Sequence, residues 1–163
     1  MIETAIIQSI WDLWPRSVSD PGQEALDLAS RAVVEFPHST KLLCMLGDLI
    51  QLVDDDRYDL PDALACYERA VELDPACSEA WESIGYYHDV MTDDLGRAEA
   101  AFRRAVRLGG GESSYRGLAR VLAERGRDRE EALRLLDECP YAESVDVQVL
   151  RDEIASRSWD PIA

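Results

Sequence analysis

The sequence predicts an all-α protein built as an array of antiparallel helix pairs, and three observations carry the prediction. A segment recurs as "ALDLASRAVVEFP" at 25–37, "ALACYERAVELDP" at 63–75 and "AEAAFRRAVRLGG" at 98–110, with a weaker copy, "ALRLLDECP", starting at Ala132. The starting alanines lie 38, 35 and 34 residues apart (Ala25, Ala63, Ala98, Ala132). Self-similarity at such a period marks supersecondary units that bury their apolar faces only by stacking on one another. Within a copy, Ala63, Tyr67 and Ala70 fall at i, i+4 and i+7 and share one helix face. Before each copy stands a second motif of bulky, aliphatic, small and bulky residues. It reads Leu43-x2-Leu46-Gly47-x2-Ile50, Trp81-x2-Ile84-Gly85-x2-His88 and Tyr115-x2-Leu118-Ala119-x2-Leu122. The small residue lets a partner helix approach and the bulky ones fill the space around it.

The elements follow in order. The first pair, 2–37, is degenerate: Ile7-x2-Ile10-Trp11-x2-Trp14, then Ala25, Ala29, Ala32 and Pro37. Trp11 occupies the small-residue position, so this pair is expected to be splayed or rotated. Asp20-Pro21-Gly22-Gln23 is expected to place Pro21 at the first helical position, with Gln23 three residues after the cap. The later pairs span about 40–75, 78–110 and 112–140. Asp59, Asp94 and Asp128 each precede their copy's first Ala by four residues and are expected to accept hydrogen bonds from first-turn N–H groups. Asp128-x-x-Glu131 reads as a variant capping box. Gly109-Gly110-Gly111 reads as a turn in the place of a proline. Over 143–157, Val145, Val149, Leu150 and Ile154 form a stripe, which predicts a helix that covers the last open core face. Trp159 is expected to pack back on the array. The whole of 1–163 reads as one domain.

On these motifs the chain resembles the tetratricopeptide repeat family, whose pattern is Trp-x2-Leu-Gly-x2-Tyr, then Ala-x3-Phe, then Pro, over about 34 residues. Trp81, Gly85, Ala98 and Phe102 match it best. Gly47, Ala63, Tyr67, Ala70 and Pro75 follow it in the preceding pair. The resemblance implies a right-handed superhelix of three to four units whose first helices line a concave groove. Carried over by register, the groove positions are Gln8 and Asp12, then Lys41, Cys44, Asp48 and Gln51, then Glu79, Glu82, Tyr86 and Asp89, and finally Arg116 and Arg120. Such a groove is acidic through its middle and basic at its C-terminal end. Arg116 and Arg120, at i and i+4, are placed to grip a carboxylate. Family members that hold chaperone C-termini line the groove with Lys and Asn; Asp48 and Glu82 here disfavour that role.

Composition excludes several classes. The net charge of −16 argues against nucleic acid and anionic membrane surfaces. The charge is uneven: residues 1–96 hold 5 basic and 20 acidic side chains, residues 97–134 hold 10 and 6, and residues 135–163 hold 2 and 7. No apolar run approaches the roughly 18–20 residues of a membrane span. The N-terminus has no basic region like that of a signal peptide, so a cytoplasmic protein is expected. Cys44, Cys66, Cys77 and Cys139 show no metal or disulfide spacing and read as reduced, mostly buried thiols. The acidic stretch "VDDDRYDLPD" lacks the residue order of a calcium loop. Only two histidines occur; His38 sits in a turn and His88 in a packing position. No nucleophile elbow, phosphate loop or metalloprotease motif is present.

The expected function is therefore non-catalytic, with no cofactor and no metal. The chain is expected to bind another protein through a segment carrying basic residues, on the groove formed by Asp12, Lys41, Asp48, Gln51, Glu79, Glu82, Tyr86, Asp89, Arg116 and Arg120. The alternative is a small dedicated chaperone or immunity-type inhibitor of a basic secreted protein or toxin. A homodimer stays open, since Trp11, Trp14 or Trp159 could serve either the core or an interface.

Overall fold

A computed structural model describes residues 2–17, 20–124 and 128–156. Every regular element among the described residues is helical, and no helix among them is long and apolar enough to cross a membrane. The chain forms two compact units, residues 1–83 and 84–163.

The N-terminal unit holds α1 (Glu3–Asp12), α2 (Gln23–Glu35), α3 (Thr40–Leu52), α4 (Leu60–Leu73) and most of α5 (Ser78–Tyr86). The repeated alanines are core residues, as their spacing requires: Ala25, Ala29, Ala32, Ala63 and Ala70 are all buried. α3 carries an almost continuous apolar run, because it packs on both α2 and α4. It meets α4 tightly at Gly47. A Cβ there would lie 2.5 Å from the ring of Tyr67, so only glycine leaves room for the aromatic residue that α4 inserts.

Two expectations for this unit are corrected. Trp11 does not lie between the paired helices. It is 42% exposed and its ring stacks at 4.7 Å on Trp14, while Ile6 and Ile10 form the buried stripe of α1. Those two fall at i and i+4, a pairing that serves the core without the indole. Pro21 is not the first helical residue either. α2 begins at Gln23 behind Gly22, whose φ of +64° turns the chain into the helix, and Asp20 Oδ1 accepts the Gly22 N–H at 3.0 Å. At α4 the expected Asp59 cap is part of a reciprocal capping box: the Asp59 carboxylate accepts from the Asp62 backbone, and the Asp59 N–H is donated to the Asp62 carboxylate at 2.8 Å.

The C-terminal unit begins with the end of α5. A π-helical turn over Tyr87–Met91 follows, then α6 (Leu95–Arg107), α7 (Glu112–Glu124), α8 (Arg129–Glu138) and α9 (Val145–Ala155). Phe102 of α6 is wholly buried, and a Cβ at Gly85 or at Gly117 would lie 2.7 or 2.5 Å from its ring. The aromatic ring is therefore clasped between two glycines. Asp94 caps α6 by accepting the Arg97 N–H at 3.0 Å. Asp128 makes no side-chain cap bond, and Glu131 is drawn instead to Arg103 at 2.7 Å, so the expected capping box does not form.

α9 covers α7 and α8, but with a different stripe from the expected one. Val147, Leu150 and Ile154 are buried, whereas Val145 and Val149 are 73% and 52% exposed. Positions 147, 150 and 154 follow the 3–4 spacing of one face, and the other two valines lie more than a third of a turn around the helix from it, towards the far side. Trp159, expected to pack back on the array, lies outside the described residues.

Candidate functional site

In the N-terminal unit the predicted groove positions lie on α1, α3 and α5. Lys41, Cys44, Asp48 and Gln51 recur along one side of α3 at helical spacing. Lys41 joins this side to its neighbours. Its Nζ lies 2.6 Å from Glu79 Oε1 on α5 and 5.5 Å from the centre of the Trp11 ring on α1. Asp12 is exposed and accepts a bond from Gln8 at 2.9 Å. Glu82 stands one turn beyond Glu79 and is half-buried.

Asp48 is held differently. The Tyr67 hydroxyl donates to Asp48 Oδ1 at 2.6 Å, and Gln51 Nε2 donates to the Tyr67 oxygen at 2.6 Å. The hydroxyl has one proton, and with Gln51 on its oxygen that proton points at Asp48. Asp48 makes no ion pair among the described residues. Burial pushes its carboxyl up to about 6; the Tyr67 bond and Lys41 oppose that rise, while Glu79 and Glu82 add to it. Burial, followed by the Asp48 charge, likewise raises the Tyr67 phenol, and burial raises the Cys44 thiol.

The acidic loop after α3 is stapled rather than loose. Arg57 binds both oxygens of Asp55 at 2.8 Å and reaches Asp27 of α2 at 2.5 Å, and Gln23 donates to Asp55 at 2.7 Å. These bonds, the Arg57 side chain first, hold the Asp55 carboxyl well below the usual carboxylate range. The carboxylates converge on a guanidinium, and no group of three metal-ligating side chains forms among the described residues.

In the C-terminal unit the predicted positions also meet, but as pairs. Arg120 is ion-paired to Asp89, whose side chain is only 5% exposed, and lies 5.9 Å from the centre of the Tyr86 ring. Arg116 lies 3.2 Å from Asp146 and 3.8 Å from Glu112. Tyr86 donates its hydroxyl to the Ser113 carbonyl at 2.9 Å. A cleft of about 490 Å³ opens here, walled by Tyr86, Arg116, Arg120, Asp146, Val149 and Glu153. The two arginines do not stand ready for a ligand carboxylate, because each already has an acidic partner. His88 is buried, with Nδ1 3.2 Å from Thr92 Oγ1 and its ring edge-on to Tyr87.

Small residues face buried aromatic rings at Gly47 against Tyr67 and at Gly85 against Phe102. Residues 56–113 match the tetratricopeptide repeat. Over those residues the chain carries a tetratricopeptide repeat. Its structure is similar to that of a thermophilic TPR protein of Thermus thermophilus, with a TM-score of 0.65 and 17% identity over 94% of this chain and 87% of that one. It is similar also to the MamA protein, with a TM-score of 0.62 and 16% identity over 99% and 78% of the two chains. The assembly chaperone of RpL4, Acl4, gives 0.53 and 22% over 96% and 58%. At these identities the likeness concerns the fold. In sequence, 87 residues are 28% identical to the general transcriptional corepressor ssn6 of Schizosaccharomyces pombe, covering 53% of this chain and 7% of that protein. The chain thus spans a small fraction of that relative's length. Tetratricopeptide repeats are generally non-catalytic scaffolds for protein–protein interaction.

The sequence reading assigned Tyr67 to the TPR scaffold alone and missed its hydroxyl. A signal exists: the next copy has Phe102 at the same place, so the oxygen on Tyr67 is an addition that burial obliges to find a partner. The ion pairs were missed as well, although several fall about one repeat apart. Asp27 meets Arg57, Lys41 meets Glu79 and Asp89 meets Arg120.

Proposed function

We propose that this protein is a non-catalytic interaction module that binds a basic segment of another protein on the first-helix wall of its N-terminal unit. Asp48 carries the reading. It is a groove-register carboxylate without an ion pair among the described residues, fixed in place by Tyr67, in a unit with 17 acidic and 5 basic side chains over residues 1–83. A cationic side chain seated there gains a charge-assisted bond to a preorganised acceptor. Glu79 and Lys41, already paired, frame the position and set its register. The net charge of −16 supports a protein partner over a nucleic acid or an anionic membrane. Four free thiols fit a reducing compartment such as the cytoplasm.

Affinity capture from native lysate, with wild type and a D48N/E82Q double variant shown by circular dichroism to be folded, tests the reading. A stoichiometric partner bound by wild type and lost by the variant is expected. Full retention by the variant would move the binding surface elsewhere.

A further inference from the structure

The relay at Asp48 has a geometry that lets a charge change without a change of fold. Tyr67 occupies Oδ1 only. A proton arriving from solvent on Oδ2 leaves the Tyr67 bond in place, since a carboxylic acid still accepts through its carbonyl oxygen. Gln51 keeps the Tyr67 hydroxyl oriented in both states. The surroundings settle which state is favoured. α4 presents the neutral Tyr67. α5 presents Glu79 and Glu82, both of which disfavour the Asp48 charge. On α3 itself, Lys41 favours the charge but is bound to Glu79, and Cys44 is a buried neutral thiol. On α2, Asp27 is bound to Arg57, and Arg31 donates to the Asp27 carbonyl.

We propose that partner binding on this wall is coupled to protons, with Asp48 giving up a proton when a cationic side chain docks against it. The inference rests on the acidic-wall reading above. In the free protein burial pushes the Asp48 carboxyl up to about 6. A docked ammonium or guanidinium supplies the counter-charge that the free site lacks and holds the carboxylate ionised. By linkage, a ligand that prefers the ionised form drives the proton off, and acid weakens the ligand by the same factor. The wall then binds its partner at neutral pH and releases it in mild acid.

The probe is a synthetic arginine-rich peptide without acidic residues or histidine, titrated calorimetrically into the full chain. Measurements are made between about pH 5 and pH 7.5, and near pH 6 in two buffers of different ionisation enthalpy. Wild type is expected to bind about tenfold more weakly at pH 5 than at pH 7, and to release a fraction of a proton near pH 6. D48N keeps an acceptor for Tyr67 and is expected to bind weakly with no pH dependence. Y67F removes a bond that favours ionisation and is expected to move the midpoint to higher pH. Peptide binding by wild type that is flat with pH, or as steep in D48N, overturns the coupling and leaves the acidic wall standing. No binding of the peptide at any pH overturns the wall and the coupling together.

Discussion

The Tyr67 hydroxyl donates to Asp48 at 2.6 Å from a ring that is wholly buried against Gly47. One residue thereby serves the scaffold with its ring and the candidate binding wall with its oxygen. Replacing it with Phe separates the two roles. Y67F keeps the packing against Gly47 but leaves Asp48 and Gln51 without their shared partner. A loss of about 1 kcal/mol is expected in urea unfolding at neutral pH, the usual worth of such a bond where water can partly replace it. A loss as large as that of a cavity mutant would mean that the hydroxyl organises the core itself.

The Asp48 carboxyl makes a prediction about acid. Its folded value lies above the ordinary 3.8, at about 6. Between those values the native state binds more protons than the unfolded chain. Asp48 therefore stabilises the fold progressively as pH falls from about 6 to 4, and opposes it at neutral pH by on the order of 3 kcal/mol. Asp55 acts in the opposite sense. Its value is depressed, so its contribution is present above the ordinary carboxylate range and is lost as pH falls below it. Comparing the pH dependence of unfolding in wild type and D48N isolates the first effect: the wild-type curve should gain relative to the variant on going from pH 7 to pH 5.

The glycine–aromatic contacts predict opposite signs for the same substitution. Gly47→Ala and Gly117→Ala each place a methyl group within 2.5 Å of a buried ring. Overpacking of this kind costs about 1–3 kcal/mol, more than the gain of about 1 kcal/mol from helix propensity. Gly96→Ala, in the first turn of α6, meets only Asp94 Oδ1 at 3.4 Å and is expected to stabilise by about 0.5 kcal/mol. Thermal unfolding of the three variants checks the order.

Arg57 is expected to govern the acidic loop. R57A removes the cation between Asp27 and Asp55. Carboxyl titration by NMR should then find Asp55 returned upward into the ordinary range, and amide exchange over residues 54–58 should accelerate. An unchanged Asp55 titration would show that Gln23 and the loop backbone suffice to hold it.

The helix pairs were legible because their signal is periodic: Ala63, Tyr67 and Ala70 on one face, Gly47 and Gly85 opposite the rings. The failures are local and share a cause. Trp11 and Val149 are apolar and fall near a predicted stripe, but spacing alone leaves more than one face of a helix open to burial, and neighbouring side chains decide which is buried. Asp128 has the residue type of a cap, yet its box partner Glu131 is taken by Arg103 from another helix. The site followed the same rule. Register placed Lys41, Asp48, Glu79, Asp89 and Arg120 in candidate positions, but only the fold decides which of their charges cancel. Tyr87–Met91 carries no sequence sign of its π-helical turn that we could name.

The acidic wall is tested most directly by amide NMR of the full chain titrated with the arginine-rich peptide at neutral pH and low salt. Shift changes concentrated at Lys41–Gln51 and Glu79–Glu82, and suppressed by added salt, are predicted. Changes confined to α6 and α8, or none at all, would contradict the assignment of partner binding to this wall.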